Sequence, residues 1–182
     1  QLQRTETELA EFHCVLVRAE IFDRIGKLDE AMLNTKEHLD FCMTVRQSGS
    51  TVYFEPDAIV TYVPGPPLEL SDLHYYMLRW SDAWTVGSLN HLRDKWNLPE
   101  DGYFKTKYKR LNWRRYGTVI EPFVRRLTLG IGSQLLTRAF TKVEHFLNRY
   151  LTDRHIRQQQ QAQQSQPLTQ PSSSQTTVSS SN

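Results

Sequence analysis

The chain has 182 residues, 38% hydrophobic and 23% charged, enough for one domain of ordinary size. No window approaches the roughly 18 consecutive apolar residues of a membrane span, and no Cys/His cluster has zinc spacing. The net charge of +2 hides an asymmetry: residues 1–104 carry nine Lys+Arg against seventeen Asp+Glu, and residues 105–157 carry thirteen against three. The second zone therefore suits an anionic partner, whether a lipid surface, a polyanion or the acidic first half of the same chain.

In chain order, "FHCVLVR" (12–18) is a short apolar run of strand length. "AEIFDRIG" predicts a short helix ended by Gly26, and "KLDEAMLNT" a loop in which Asp29 and Glu30 hydrogen-bond backbone. "KEHLDFCMTVRQSG" predicts a helix with Thr35 as N-cap, Leu39, Phe41, Cys42 and Val45 on one face, and Gly49 as its end. "STVYFEP" and "AIVTYV" read as strands, closed by Pro56 and by "PGPP". Cys14 and Cys42 could pair, but their apolar settings read better as two separate half-buried thiols.

From Ser71 a 3.6-residue period of apolar and aromatic side chains predicts one long helix up to the barrier at Pro99. "YFKTKYKRLNWRRYG" is a basic, aromatic connector. Residues 118–151 form a second amphipathic helical region, with apolar side chains at 120, 124, 127, 131, 135, 140, 143, 147 and 151, loosened around Gly130 and Gly132. From residue 158 the chain is Gln/Ser/Thr/Pro-rich and is expected to be disordered. The expected units are thus 1–104, a basic helical extension 105–157, and a tail 158–182. The chain opens in mid-phrase, without an initiator Met, and reads as a piece of a longer protein.

The phrase "LVRAEIFDRIG", "KLDE", "EHLDFCMTVRQSG", "EPDAIVTY" resembles, in order and spacing over residues 12–63, the acceptor-side half of a family 2 glycosyltransferase. "DLHYYMLRWSDAW" is similar to the helix that follows there. The resemblance implies an α/β fold: a partial GT-A (nucleotide-diphospho-sugar transferase) fold lacking its N-terminal nucleotide-binding half, then C-terminal helices. It implies a nucleotide-sugar donor and a glycan or lipid-linked acceptor. It also implies a divalent Mg or Mn ion held mainly by the preceding half. Transfer to an acceptor hydroxyl needs a base to take the proton, and a helix N-terminus holds a carboxylate ionised and aimed. The resemblance places Glu37 and His38 at that catalytic position, either of which can serve. It gives Asp40, Arg79, Trp80 and Trp84 to substrate binding, since aromatic faces stack on sugars and Arg binds phosphate.

Three departures bear on this reading. His38 stands where the family has an acid, and Tyr62 where it often has a metal-ligating histidine. Tyr is a poor ligand for these ions, so no residue of this chain is assigned as a metal ligand. The chain also contains no Asp-x-Asp. The basic connector carries the residue types of nucleic-acid binders. For a transferase acting on lipid-linked acceptors an anionic membrane surface is the more economical partner, and nucleic acid is disfavoured. The expected location is cytoplasmic, peripheral on the membrane. The alternative function is a non-catalytic polyanion- or membrane-binding module built on 105–157.

Overall fold

A computed structural model describes residues 2–63 and 68–164, with side chains described to Gln161. Nearly all of the ordered structure is helical. β1 (Thr5–Thr7) pairs antiparallel with β2 (Val52–Phe54) in the register Thr5↔Phe54, Glu6↔Tyr53 and Thr7↔Val52. These two strands form the whole sheet among the described residues. The helices are α1 (Glu20–Ile25), α2 (Glu37–Gln47), α3 (Leu73–Arg79), α4 (Asp82–Lys95), α5 (Gly102–Lys109), α6 (Trp113–Arg115), α7 (Glu121–Leu127) and α8 (Gln134–Gln164). A π-helical stretch, Tyr116–Ile120, joins α6 to α7.

The mixed α/β character is present, but the strands differ from those expected. Residues 12–18 and 58–63 are irregular, and the partner of β2 is the polar segment Thr5–Thr7 instead. In place of strand pairing, Phe12 and Val17 pack as side chains on α2, so their apolar character is satisfied by core burial. Ile59, Val60 and Tyr62, by contrast, are exposed.

Two apolar clusters flank α2. Phe41, Cys42 and Val45 meet Phe12, Val17, Ile21, Ile25 and Val52 on one side. Leu39 faces the other cluster, built on Met32, Leu89, Leu92 and Phe104. The end of α2 is set by Gly49 at φ 79°. Gly49 N–H donates to the Arg46 carbonyl (3.0 Å) and Ser50 N–H to that of Val45 (3.2 Å), the paired reverse bonds of a left-handed helix end. Gly26, at φ 77°, closes α1 in the expected place. The start of α2 differs: the cap position is Lys36, itself at φ 76°, and Thr35 makes no capping bond.

The long helix expected from Ser71 to Pro99 is broken at Trp80–Ser81. Ser81 turns extended (φ −64°, ψ 152°), and its hydroxyl accepts from Trp84 N–H at 3.2 Å, starting α4 afresh. Asp101 does the same for α5, accepting from Tyr103 and Phe104 N–H at 2.9 and 3.1 Å, so the basic connector is largely helical. The region around Gly130 and Gly132 is a complete break between α7 and α8, with Leu129, Gly130 and Gly132 at φ 51°, 89° and 79°. α8 then continues through residues 158–164, as a Gln/Ala run of good helix formers permits. The rest of the expected disordered tail, 165–182, lies outside the described residues.

α8 packs on α3 and α4 through polar side chains. Arg115, fully buried, donates to Glu144 Oε1 (2.5 Å), to Asp82 Oδ1 (2.8 Å) and to the Trp80 carbonyl. Asn148 donates to the Met77 carbonyl (2.7 Å) and accepts from Asp82 N–H (3.3 Å). These bonds satisfy the backbone groups that the helix break at Ser81 leaves open. They also tie the acidic zone to the basic one. Several of the apolar positions of 118–151 consequently do not face a core: Ile120 and Val124 are buried, whereas Leu127, Ile131, Leu135, Val143 and Leu147 are exposed.

Candidate active site at the start of α2

The residues before α2 are pinned from a distance. Asn34 is buried; its amide donates to the Arg79 carbonyl (2.7 Å) and to Thr85 Oγ1 (2.9 Å), and its oxygen accepts from the Ser88 hydroxyl (3.2 Å). The left-handed Lys36 follows, a costly conformation for a residue with a Cβ. Lys36 is buried, with Nζ 5.2 Å from the Tyr103 ring centroid. Burial lowers the pKa of its ammonium, opposed by the charges of Glu11 and Glu37. Burial also raises that of Tyr103. Glu37 and His38 therefore enter α2 beside a desolvated amine and a phenol.

The acids here are committed to different degrees. Asp40, 4% exposed, holds Lys95 Nζ at 2.8 Å and accepts from the Trp96 indole at 2.7 Å. Asp29 Oδ2 lies 2.8 Å from Lys95 Nζ and 2.9 Å from His91 Nε2, while Oδ1 accepts from Ala31 N–H at 3.0 Å. Lys95 first, then His91, hold the Asp29 carboxyl well below the ordinary carboxylate range. The expected backbone bond of Asp29 is therefore present, joined by an ion pair to α4. Glu11 Oε1 is 3.5 Å from His38 Nε2, and the imidazole stands edge-on to Phe12. Glu37 differs from all three. Its Oε2 is buried and has no hydrogen-bond partner among the described residues. Glu144 Oε2 shares that condition, but the other oxygen of Glu144 is bonded to Arg115.

The residues expected to form one site fall into three neighbourhoods. Glu37 and His38 lie together with Glu11, Phe12 and Lys36. Asp40 is bonded to the Lys95–Trp96 pair, where an acceptor would have to displace both partners. These bonds fix α2 to α4. Arg79, Trp80 and Trp84 lie where α3, α4, α6 and α8 meet. The guanidiniums of Arg114 and Arg79 stand 4.3 and 5.3 Å from the Trp80 ring, and Trp84 is half-buried edge-on to His155. Asn34, Lys36 and Lys95 went unread in the sequence. Only the position of Asn34 and Lys36, beside a helix start, carried any signal.

Among the described residues no group of three or more His, Cys, Asp or Glu could hold a metal ion. Tyr62 is exposed with its ring edge-on to His13, 5.2 Å away. Among the described residues no set of ligands fits an ion. No described helix is long and apolar enough to cross a membrane. Comparison with protein-family models, with curated proteins and with solved structures finds no match. The site is therefore read from its own residues.

Proposed function

We propose that this chain is the acceptor-side portion of a nucleotide-sugar-dependent glycosyltransferase of GT-A type, with Glu37 as its base. One observation carries the choice of residue: Glu37, in the first turn of α2, keeps an unpartnered oxygen, whereas Asp29 and Asp40 are both bonded to Lys95. Glu37 takes the proton of an acceptor hydroxyl as that oxygen bonds to the anomeric carbon, and the nucleoside diphosphate leaves with the bonding pair. Glu11 and Phe12 orient His38 beside Glu37. The donor is held by a nucleotide-binding half preceding Gln1, and the acceptor is a glycan or lipid-linked hydroxyl. The phrase over residues 12–63 supports this reading.

The test uses the protein together with the residues that precede Gln1, assayed for transfer from, and hydrolysis of, a panel of nucleotide sugars. Glu37→Gln should lower kcat by about 10²–10⁴-fold with donor KM little changed, and His38→Ala should cost less. Full activity in Glu37→Gln would remove the assignment of the base. Absence of both transfer and hydrolysis in the unmodified protein would remove the transferase reading itself.

A further inference from the structure

We propose that the turn between α7 and α8, with the outer face of α8, inserts into the surface of an anionic lipid bilayer. This does not rest on the transferase reading. At the turn, Leu129 is 93% and Ile131 90% exposed, and Leu135 follows at 79%. Leu129 also holds a left-handed backbone, which an apolar β-carbon residue adopts at a cost.

Four amides of the turn are already bonded. Thr128 N–H donates to the Val124 carbonyl (3.0 Å), Gly130 N–H to that of Arg125 (2.7 Å), Ile131 N–H to that of Thr128 (3.1 Å) and Gly132 N–H to Thr128 Oγ1 (2.9 Å). A loop can leave water only when its amides have partners, and these four do. The outer face of α8 continues the apolar surface with Val143, Phe146 and Tyr150, all more than half exposed.

Charge selects the occupant. Arg125 and Arg126 precede the turn, Arg138 and Lys142 follow it on α8, and all four are exposed. Arg125 reaches Glu121 at 3.9 Å, and the other three have no carboxylate at ion-pair distance among the described residues. An apolar turn flanked in sequence by exposed cations, three of them without a carboxylate partner among the described residues, fits the boundary between anionic headgroups and acyl chains, where such side chains bury to about 5–10 Å. A protein partner or a polynucleotide would satisfy the cations or the apolar tip, but a bilayer surface satisfies both along one face.

The test is flotation of the 182-residue chain with vesicles of phosphatidylcholine alone or with about 30 mol % phosphatidylserine. Binding should appear on the anionic vesicles, weaken with salt, and be absent on neutral ones. The double variant Leu129→Asp/Ile131→Asp should lose binding by at least about tenfold. Arg125→Glu/Arg126→Glu should lose about fivefold or more per charge removed. Far-UV circular dichroism should be unchanged in both, since all four side chains are exposed. Equal binding to neutral vesicles, or undiminished binding by the Leu129/Ile131 variant, would overturn the proposal. So would binding to heparin but to no vesicle, which would assign the face to a soluble polyanion. A dimer in sedimentation that the Leu129/Ile131 variant dissolves would assign it to a second copy of the chain.

Discussion

α2 and α8 are both amphipathic, and they are mounted in opposite senses. α2 turns Phe41, Cys42 and Val45 inward and leaves Glu37 and His38, in its first turn, half-buried. α8 turns Glu144, Asn148 and Thr152 inward, all buried, and leaves Val143, Phe146 and Tyr150 outside. The first helix is held by burial of its apolar face and pinned at one point, where Asp40 meets Lys95 and Trp96. The second is held by bonds of fixed geometry to the broken end of α3 and the start of α4, which set its rotation and translation. A helix seated on its polar side has its apolar side left over. That remainder makes α8 a surface-seeking element, while α2 is a site-bearing one.

Substitutions can break this contrast. The largest effect belongs to Arg115→Met, which leaves Glu144 buried without its cation and should destabilise by about 3–5 kcal/mol in urea unfolding. A cost under about 1 kcal/mol would mean that α8 is not held by this network. On α2 the sensitive side chain is apolar: Phe41→Ala should cost about 3 kcal/mol by cavity formation, whereas Glu37→Gln should leave the urea midpoint nearly unchanged.

The contrast sharpens within α8 itself. Asn148→Ala removes two hydrogen bonds of a buried amide and should cost about 1–3 kcal/mol. Phe146→Ser, two residues away and 71% exposed, should stay within about 0.5 kcal/mol of the unmodified chain. An ordinary amphipathic helix would give the reverse order.

A smaller effect concerns pH. The Asp29 carboxyl is depressed in the folded state, chiefly by Lys95 and then by His91. Its contribution is therefore complete above the unfolded carboxylate value of about 3.9, and it is lost as pH falls towards the lower folded value. Asp40, Lys95 and His91 face the same carboxylate, so the readout is a difference. Thermal midpoints of Asp29→Asn and the unmodified chain should converge as pH drops below about 4, and a constant gap would contradict the linkage.

What the sequence disclosed was local. Gly26 and Gly49 were legible as helix ends because a left-handed residue there is a one-position signal. The break at Ser81 carried a local signal too, a serine followed by an aspartate, but the apolar period ran straight through it and dominated the reading. Strand β1 had no apolar signature, because Thr5–Thr7 earns its pairing from a partner about 47 residues away. In the candidate site, the place of Glu37 and His38 at a helix start was legible from flanking phrases. That Asp40 is fixed by Lys95 and Trp96 was not, since those partners are 55 and 56 residues distant. For α8 the period announced a face, but periodicity has no sign and does not say which side turns inward.

The cysteines were expected to be alike, and they differ: both are free, Cys14 is exposed, and Cys42 is buried. Cys42 Sγ accepts from Ala10 N–H at 3.3 Å and donates to the Ala10 carbonyl at 3.7 Å, so one sulfur stands in for a strand neighbour of the segment after β1. The chain thus carries a matched pair of reporters. Cys14 gives the intrinsic alkylation rate, and the lag of Cys42 behind it counts how often the N-terminal segment lifts from α2, without any label being introduced.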